Sequence, residues 1–276
     1  MYTCNDINLY SDIPSQMCLM YLENRYKLIK SIGEGAFSIV LSLIDKESNE
    51  QIALKVTGPN QMELRVSCAV SGLVQQRLTL SFLTLRGWFI CGPPKNTAWT
   101  QIKPESGIDI WEESSLMYLD MEKADLSLYD IMRDGGEIDM KDFLCISFEI
   151  IYALIVGKTK YKLVHGDIQL SNILIKYVKQ SQPRIYDING VLYVADSIYL
   201  PLISDFGTST IMKEVEYDPD INGVVSTMEL LYVYVKNKSL KLQNMYGLSL
   251  QEIIISDLFD PLVRQNITSG IFIQSL

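Results

Sequence analysis

The sequence predicts an α+β fold in two parts, a strand-rich first third and a helix-rich remainder. Three observations lead there. Between Tyr26 and Val56 the runs LIKSI, IVLSLI and IALKV alternate apolar and β-branched residues around turn signals, as half-buried strands do. Apolar positions then recur at helical spacing over 61–80 and, more strongly, over 139–159. A small β patch returns near 173–203, so strands and helices are segregated along the chain rather than alternating.

Residues 1–25 carry no clear period and read as an extension or an extra strand. Gly33 and Gly35 break the first pair of strands, and DKESNE (45–50) is a polar hairpin turn. Residues 88–114, rich in Gly, Pro and Trp, read as an insertion loop. FLCISFEIIYALIV (143–156) is interrupted by Glu149 and is too short to span a bilayer, so it reads as a buried core helix and no membrane partner is expected. Asn189-Gly190, inside RIYDINGVLYV, is a hairpin signal.

Over 276 residues the formal net charge is -9, which argues against nucleic acid as the main partner, since phosphate binding needs a basic face. Five cysteines are scattered with no C-x-x-C pair, and no basic segment followed by an apolar run opens the chain. Free thiols in a reducing, intracellular compartment are therefore expected.

Four segments carry chemistry. In IGEGAFSIV (32–40) two glycines sit between predicted strands, where backbone N–H groups can approach phosphate oxygens closely. No helix follows, as a dinucleotide-binding loop would need, and no G-K-[ST] ends it. IALKV (52–56) puts Lys55 on the next strand; between it and Glu105 the sole acidic residue is Glu63, in the helical segment QMELRVS. HGDIQLSN (165–172) is a loop between an apolar helix and the strand ILIKY. Its Asp167 and Asn172 are spaced to face a substrate hydroxyl and a metal ion. His165 is the one histidine in the chain. It reads as a packing residue beneath the catalytic groups, with Asp167 as the base. In SDFG (204–207), Asp205 is a hard oxygen ligand suited to Mg²⁺.

In this order and setting the segments resemble the protein kinase signature set, from about Tyr26 to about Tyr234. The resemblance implies a bilobal fold: an extension over 1–25, a β-rich N-lobe over 26–122 and a mainly helical, reduced C-lobe over 123–276. It implies ATP and Mg²⁺ (or Mn²⁺) as cofactors, and transfer of the γ-phosphate to Ser/Thr hydroxyls of protein substrates. Ile32, Gly33 and Gly35 would cover the nucleotide, and Lys55 and Glu63 would form an ion pair. Asp167 would be the catalytic base, with Asn172 and Asp205 as metal ligands. Val40, Ala53 and Leu174 would sandwich the adenine. Met121 would be the gatekeeper in LMYLDMEK (116–123), with Glu122 and Lys123 bonding adenine through backbone groups. Asp220 resembles the buried helix aspartate that bonds the catalytic loop.

The departures are specific. Ser38 stands for the third loop glycine, Gly166 for the arginine after the histidine, and Gln169 for the lysine two residues after the aspartate. No A-P-E follows, and fourteen residues separate Asp205 from Asp220. Without the arginine, control through a phosphorylated activation loop loses its usual anchor, and Thr208, Ser209 and Thr210 read as plain loop hydroxyls. The pattern is similar to divergent haspin-like kinases and to kinases of large DNA viruses, which places the chain in cytoplasm or nucleus, or in a host cell or virion. Two other readings stay open. H-G-D-x-x-x-x-N is also similar to aminoglycoside- and choline-kinase-like enzymes, and a non-catalytic scaffold could keep the fold.

Overall fold

The computed structural model describes residues 3–6, 12–13, 15–35, 38–94, 98–102, 110–178, 183–188, 190–212 and 220–236. They form a mixed α+β structure in two compact units. One comprises the residues up to Cys68 together with Thr84–Lys123; the other comprises Ala69–Leu83 together with the residues from Ala124 onward. Residues 69–83, expected in the first lobe, thus cluster with the second unit, and residues 1–25 belong with the first.

The first unit opens with β1 (Asp12–Ile13) and α1 (Ser15–Arg25). Then follow β2 (Tyr26–Gly35), β3 (Ser38–Asp45) and β4 (Gln51–Thr57), where the alternating runs predict strands. Helix α2 (Gln61–Gln75) starts in this unit and ends in the other. β5 (Leu85–Cys91) and β6 (Leu116–Glu122) complete a six-stranded sheet of order β1-β5-β6-β4-β3-β2. Only the β1–β5 pair is parallel. Side chains alternate between sheet faces. Ile52, Leu54 and Val56 of β4 enter a core with Ile39, Leu41, Leu43, Phe89, Tyr118 and the α1 residues Cys18 and Leu22. Leu119, Met117, Trp88 and Ile90 join Leu64 of α2 in a second cluster.

Two expectations are corrected here. Residues 88–114 are not one insertion loop. LRGWFIC is a buried strand between β1 and β6; the Gly92-Pro93-Pro94 run that suggested a loop ends this strand. Nor are the cysteines all free: disulfides join Cys4 to Cys68 and Cys18 to Cys91, with Cα atoms 5.3 and 6.0 Å apart. Separations of 64 and 73 residues leave no local signature of such pairing. Cys145 is free and buried, and burial, with Glu149 nearby, pushes its thiol up to about 12.

The second unit contains β7 (Leu126–Ser127), α3 (Leu128–Arg133), α4 (Met140–Tyr161) and β8 (Leu163–Val164). β9 (Ile173–Tyr177), β10 (Arg184–Ile188), β11 (Val191–Ala195) and β12 (Tyr199–Ile203) follow, then β13 (Thr210–Ile211) and α5 (Asp220–Lys236). β12, β9 and β7 form a three-stranded sheet, and β13 pairs with β8. Asp139 caps α4 by accepting from the Asp142 amide at 2.8 Å, and the helix stops at Lys162 in the left-handed region, φ 55°. This is the core helix expected over 143–156; no helix among the described residues is long and apolar enough to cross a membrane.

Glu149, which interrupts that apolar run, is fully buried and paired. The Arg184 Nε and Nη2 atoms donate to its two oxygens at 2.5 and 2.8 Å, and the Tyr186 hydroxyl donates to it as well. The charge in α4 is therefore the anchor for β10 and β11, which pair as the expected hairpin with Ile188 opposite Val191. Gly190 takes φ 81° there; Asn189 lies outside the described residues.

Candidate active site

In the first unit the sheet register collects several sequence candidates on one face. Val40 lies opposite Lys55, and Gly33 opposite Val40. Met121 lies opposite Ala53, two residues from Lys55. Directly opposed residues share a face, as do residues two apart, so Gly33, Val40, Ala53, Lys55 and Met121 share one. It is the face opposite Ile52, Leu54 and Val56. Gly35 pairs with Ser38, and residues 36 and 37 lie outside the described residues. Ile32 on β2 is exposed.

Lys55 and Glu63 meet. The ammonium Nζ donates to Oε1 at 2.6 Å, and the residues are 7% and 3% exposed. A gap of eight residues suffices because α2 begins right after β4. Asn60 fixes that start, its side-chain oxygen accepting from the Met62 and Glu63 amides at 3.1 Å each. Glu63 thereby sits in the first turn, where the helix dipole favours a carboxylate.

At the end of β6 Glu122 is held by Thr84. Its amide donates to the Thr84 carbonyl at 3.1 Å, and its carboxylate accepts from the Thr84 amide and hydroxyl at 3.0 and 2.6 Å. The Glu122 N–H is thus engaged within the unit. No local pattern marks this contact, since the partner lies 38 residues away.

The second unit holds Asp167, Asn172, Leu174 and Asp205. The Asn172 Nδ2 donates to the Asp167 backbone oxygen at 2.9 Å and to its Oδ2 at 2.8 Å. Gln169 Nε2 donates to the same Oδ2 at 2.8 Å. Sequence reading treats Gln169 only as a departure; here it is a direct partner of the candidate base. Oδ1 of Asp167 has no hydrogen-bond partner among the described residues. Because the Asn172 amide nitrogen faces Asp167, its Oδ1 is the ligand atom it can offer a cation. Leu174 on β9 is half-buried, opposite Leu202. Asp205 is exposed, in the left-handed region at φ 63° and ψ 76°. A non-glycine residue held there is strained, and such strain gathers at functional sites.

His165 has both ring nitrogens engaged. Nε2 lies 2.9 Å from the Ser204 carbonyl, and the Asp167 amide donates to Nδ1 at 3.3 Å. The carbonyl needs a donor and the amide needs an acceptor, so the ring is neutral with its proton on Nε2. Burial holds its pKa below the ordinary value, against the opposing pull of Asp220 and the Ser204 bond. Phe206 packs edge-on against the ring with centroids 5.4 Å apart. The ring is thus a packing element, with no nitrogen left for proton transfer.

Asp220, 3% exposed, opens α5 and clamps the loop. Its Oδ2 and Oδ1 accept from the His165 and Gly166 amides, both at 2.8 Å. The approach is close enough that a Cβ on Gly223 would stand 2.7 Å from the Ile168 carbonyl oxygen.

One amide oxygen and one carboxylate do not make a metal cage, and no group of three or more His, Cys, Asp or Glu among the described residues could hold an ion by itself. The donor set does fit Mg²⁺ that also binds phosphate oxygens, because that ion keeps few protein ligands. The sequence matches no protein-family model and no curated protein.

Proposed function

We propose that this chain is an ATP-dependent Ser/Thr protein kinase with the bilobal kinase plan. The observation that carries the reading is the state of Asp167. One carboxylate oxygen is held by two amides and the other has no hydrogen-bond partner among the described residues, in a loop clamped by Asp220. That is what a base needs in order to orient an acceptor hydroxyl. The buried Lys55–Glu63 pair supports it, since a lysine steadied by a carboxylate is suited to hold the α- and β-phosphates. Asp205 and the Asn172 Oδ1 would hold Mg²⁺, or Mn²⁺, which when bound neutralises charge on the phosphates. Asp167 takes the hydroxyl proton at Oδ1 while Asn172 and Gln169 keep the carboxylate from turning.

The test is transfer of labelled γ-phosphate from ATP to a peptide array, with aminoglycosides and choline as further acceptors. Asp167→Asn should lower transfer by about 10²–10⁴-fold and leave ATP binding intact. Undiminished turnover in that variant would sink the assignment of the base. Transfer to the small acceptors alone would favour a small-molecule kinase, and no transfer by the wild type with either ion would favour a scaffold.

A further inference from the structure

Resting on that reading, we propose that Thr208 and Ser209 are positioning residues that latch the segment after SDFG onto the catalytic loop without a phosphate. The Thr208 hydroxyl donates to the His165 carbonyl at 3.2 Å, and the Ser209 hydroxyl donates to the same oxygen at 2.9 Å. Ser209 is only 4% exposed. The contact continues as backbone pairing. Thr210 stands opposite Val164 and Ile211 opposite Leu163, and the Met212 amide donates to the Lys162 carbonyl at 3.1 Å. His165 is therefore held at its carbonyl by two hydroxyls, at its amide by Asp220 and at its ring by Ser204. Asp167 follows two residues later.

Gly166 belongs to the same device. It takes φ +83°, and a Cβ built there would meet the Thr208 carbonyl oxygen at 3.1 Å. The residue that usually anchors a phosphorylated segment is an arginine at this position. Here both the backbone conformation and the nearness of Thr208 oppose any side chain. The missing arginine and the two hydroxyls are thus one arrangement, in which neutral bonds take the place of an arginine–phosphate pair. A phosphate on Ser209 would act in the opposite sense to the usual one. It removes the O–H that the His165 carbonyl accepts from and brings acceptor oxygens against it.

The experiment uses the full chain with a peptide acceptor. Phosphatase treatment of the purified protein should leave kcat unchanged. T208V/S209A should lower kcat roughly 30-fold, the worth of two hydrogen bonds, with the KM for ATP within about twofold, whereas T208S/S209T should recover most of the loss. G166R should lower kcat rather than raise it. Loss of activity on phosphatase treatment, a gain in G166R, or wild-type kcat in T208V/S209A would each overturn the latch. If the wild type transfers nothing, the kinase reading falls on that result alone. Amide hydrogen exchange over 163–168 then decides the latch: faster exchange in T208V/S209A than in T208S/S209T supports it, and equal exchange overturns it.

Discussion

Replacing Asp220 measures how far the catalytic loop depends on one buried carboxylate. The side chain accepts two charge-assisted bonds at 2.8 Å, from the buried His165 amide and the partly buried Gly166 amide. Asp220→Ala removes both acceptors from a site where His165 is 0% exposed. A buried donor left unsatisfied costs about 1–3 kcal/mol, and a partly buried one nearer the lower figure. The sum is about 2–4 kcal/mol, a large share of the roughly 5–15 kcal/mol by which domains are stable. Asp220→Asn keeps one acceptor oxygen but turns an NH₂ toward the other amide, so it should fall between wild type and Asp220→Ala. Urea unfolding followed by far-ultraviolet circular dichroism, which reads the helices α4 and α5 of the second unit, gives the ordering, provided the slopes agree. Hydrogen exchange at His165 and Gly166 localises the loss. An Asp220→Ala protein within about 0.5 kcal/mol of wild type, below the cost of one unsatisfied donor, would refute the clamp. So would an Asn variant less stable than the Ala variant.

Two further outcomes follow from buried charge. Lys55→Met alone strands the Glu63 carboxylate, whose side chain is only 4% exposed, at a cost of about 3–5 kcal/mol, while the double variant with Glu63→Leu should cost far less than the sum of the two single losses; additive losses in urea would mean the pair is not coupled. His165 is held neutral by burial, its pKa below the ordinary 6.5, so on acidification the unfolded chain binds a proton that the folded chain refuses. Stability should then fall as pH drops below about 6.5, by up to about 1.4 kcal/mol per pH unit. A flat stability curve between about pH 7 and 5.5 would contradict a buried neutral ring.

What could be read from the sequence was what leaves a local mark. The strands from Tyr26 to Thr57 alternate, and α4 carries a long apolar period with a capping aspartate. The loop and SDFG hold their residues at fixed short spacings. Lys55 and Glu63 were legible as a pair because Glu63 is the sole acidic residue between Lys55 and Glu105. Features set by distant partners were not legible. β5 is apolar apart from Arg86, and the glycine and prolines after it gave the stronger signal. The disulfides join residues 64 and 73 apart, and Thr84 reaches Glu122 across a turn of the sheet. Thr208 and Ser209 looked like ordinary loop hydroxyls because their common acceptor is a backbone carbonyl 43 and 44 residues earlier.

The departures from the kinase pattern share a chemical sense. Where the protein kinase pattern has arginine after the histidine, this chain has a glycine, with two hydroxyls donating to the carbonyl before it. Where that pattern has lysine beside the base, this chain has the Gln169 amide donating to Asp167. Both changes replace a cation with a neutral donor that makes its bond within the same unit. A neutral hydrogen bond is hardly screened by salt, whereas an exposed arginine–phosphate pair is weakened by it. On the proposed reading, a loop organised in this way would be ordered without a phosphate. The short spacing between Asp205 and Asp220 agrees with that, since a regulatory loop needs length in which to move and Thr208, Ser209, Thr210 and Ile211 are already tied to β8 and the catalytic loop. Control of such an enzyme would fall to its abundance or to access of the acceptor rather than to phosphorylation of this segment.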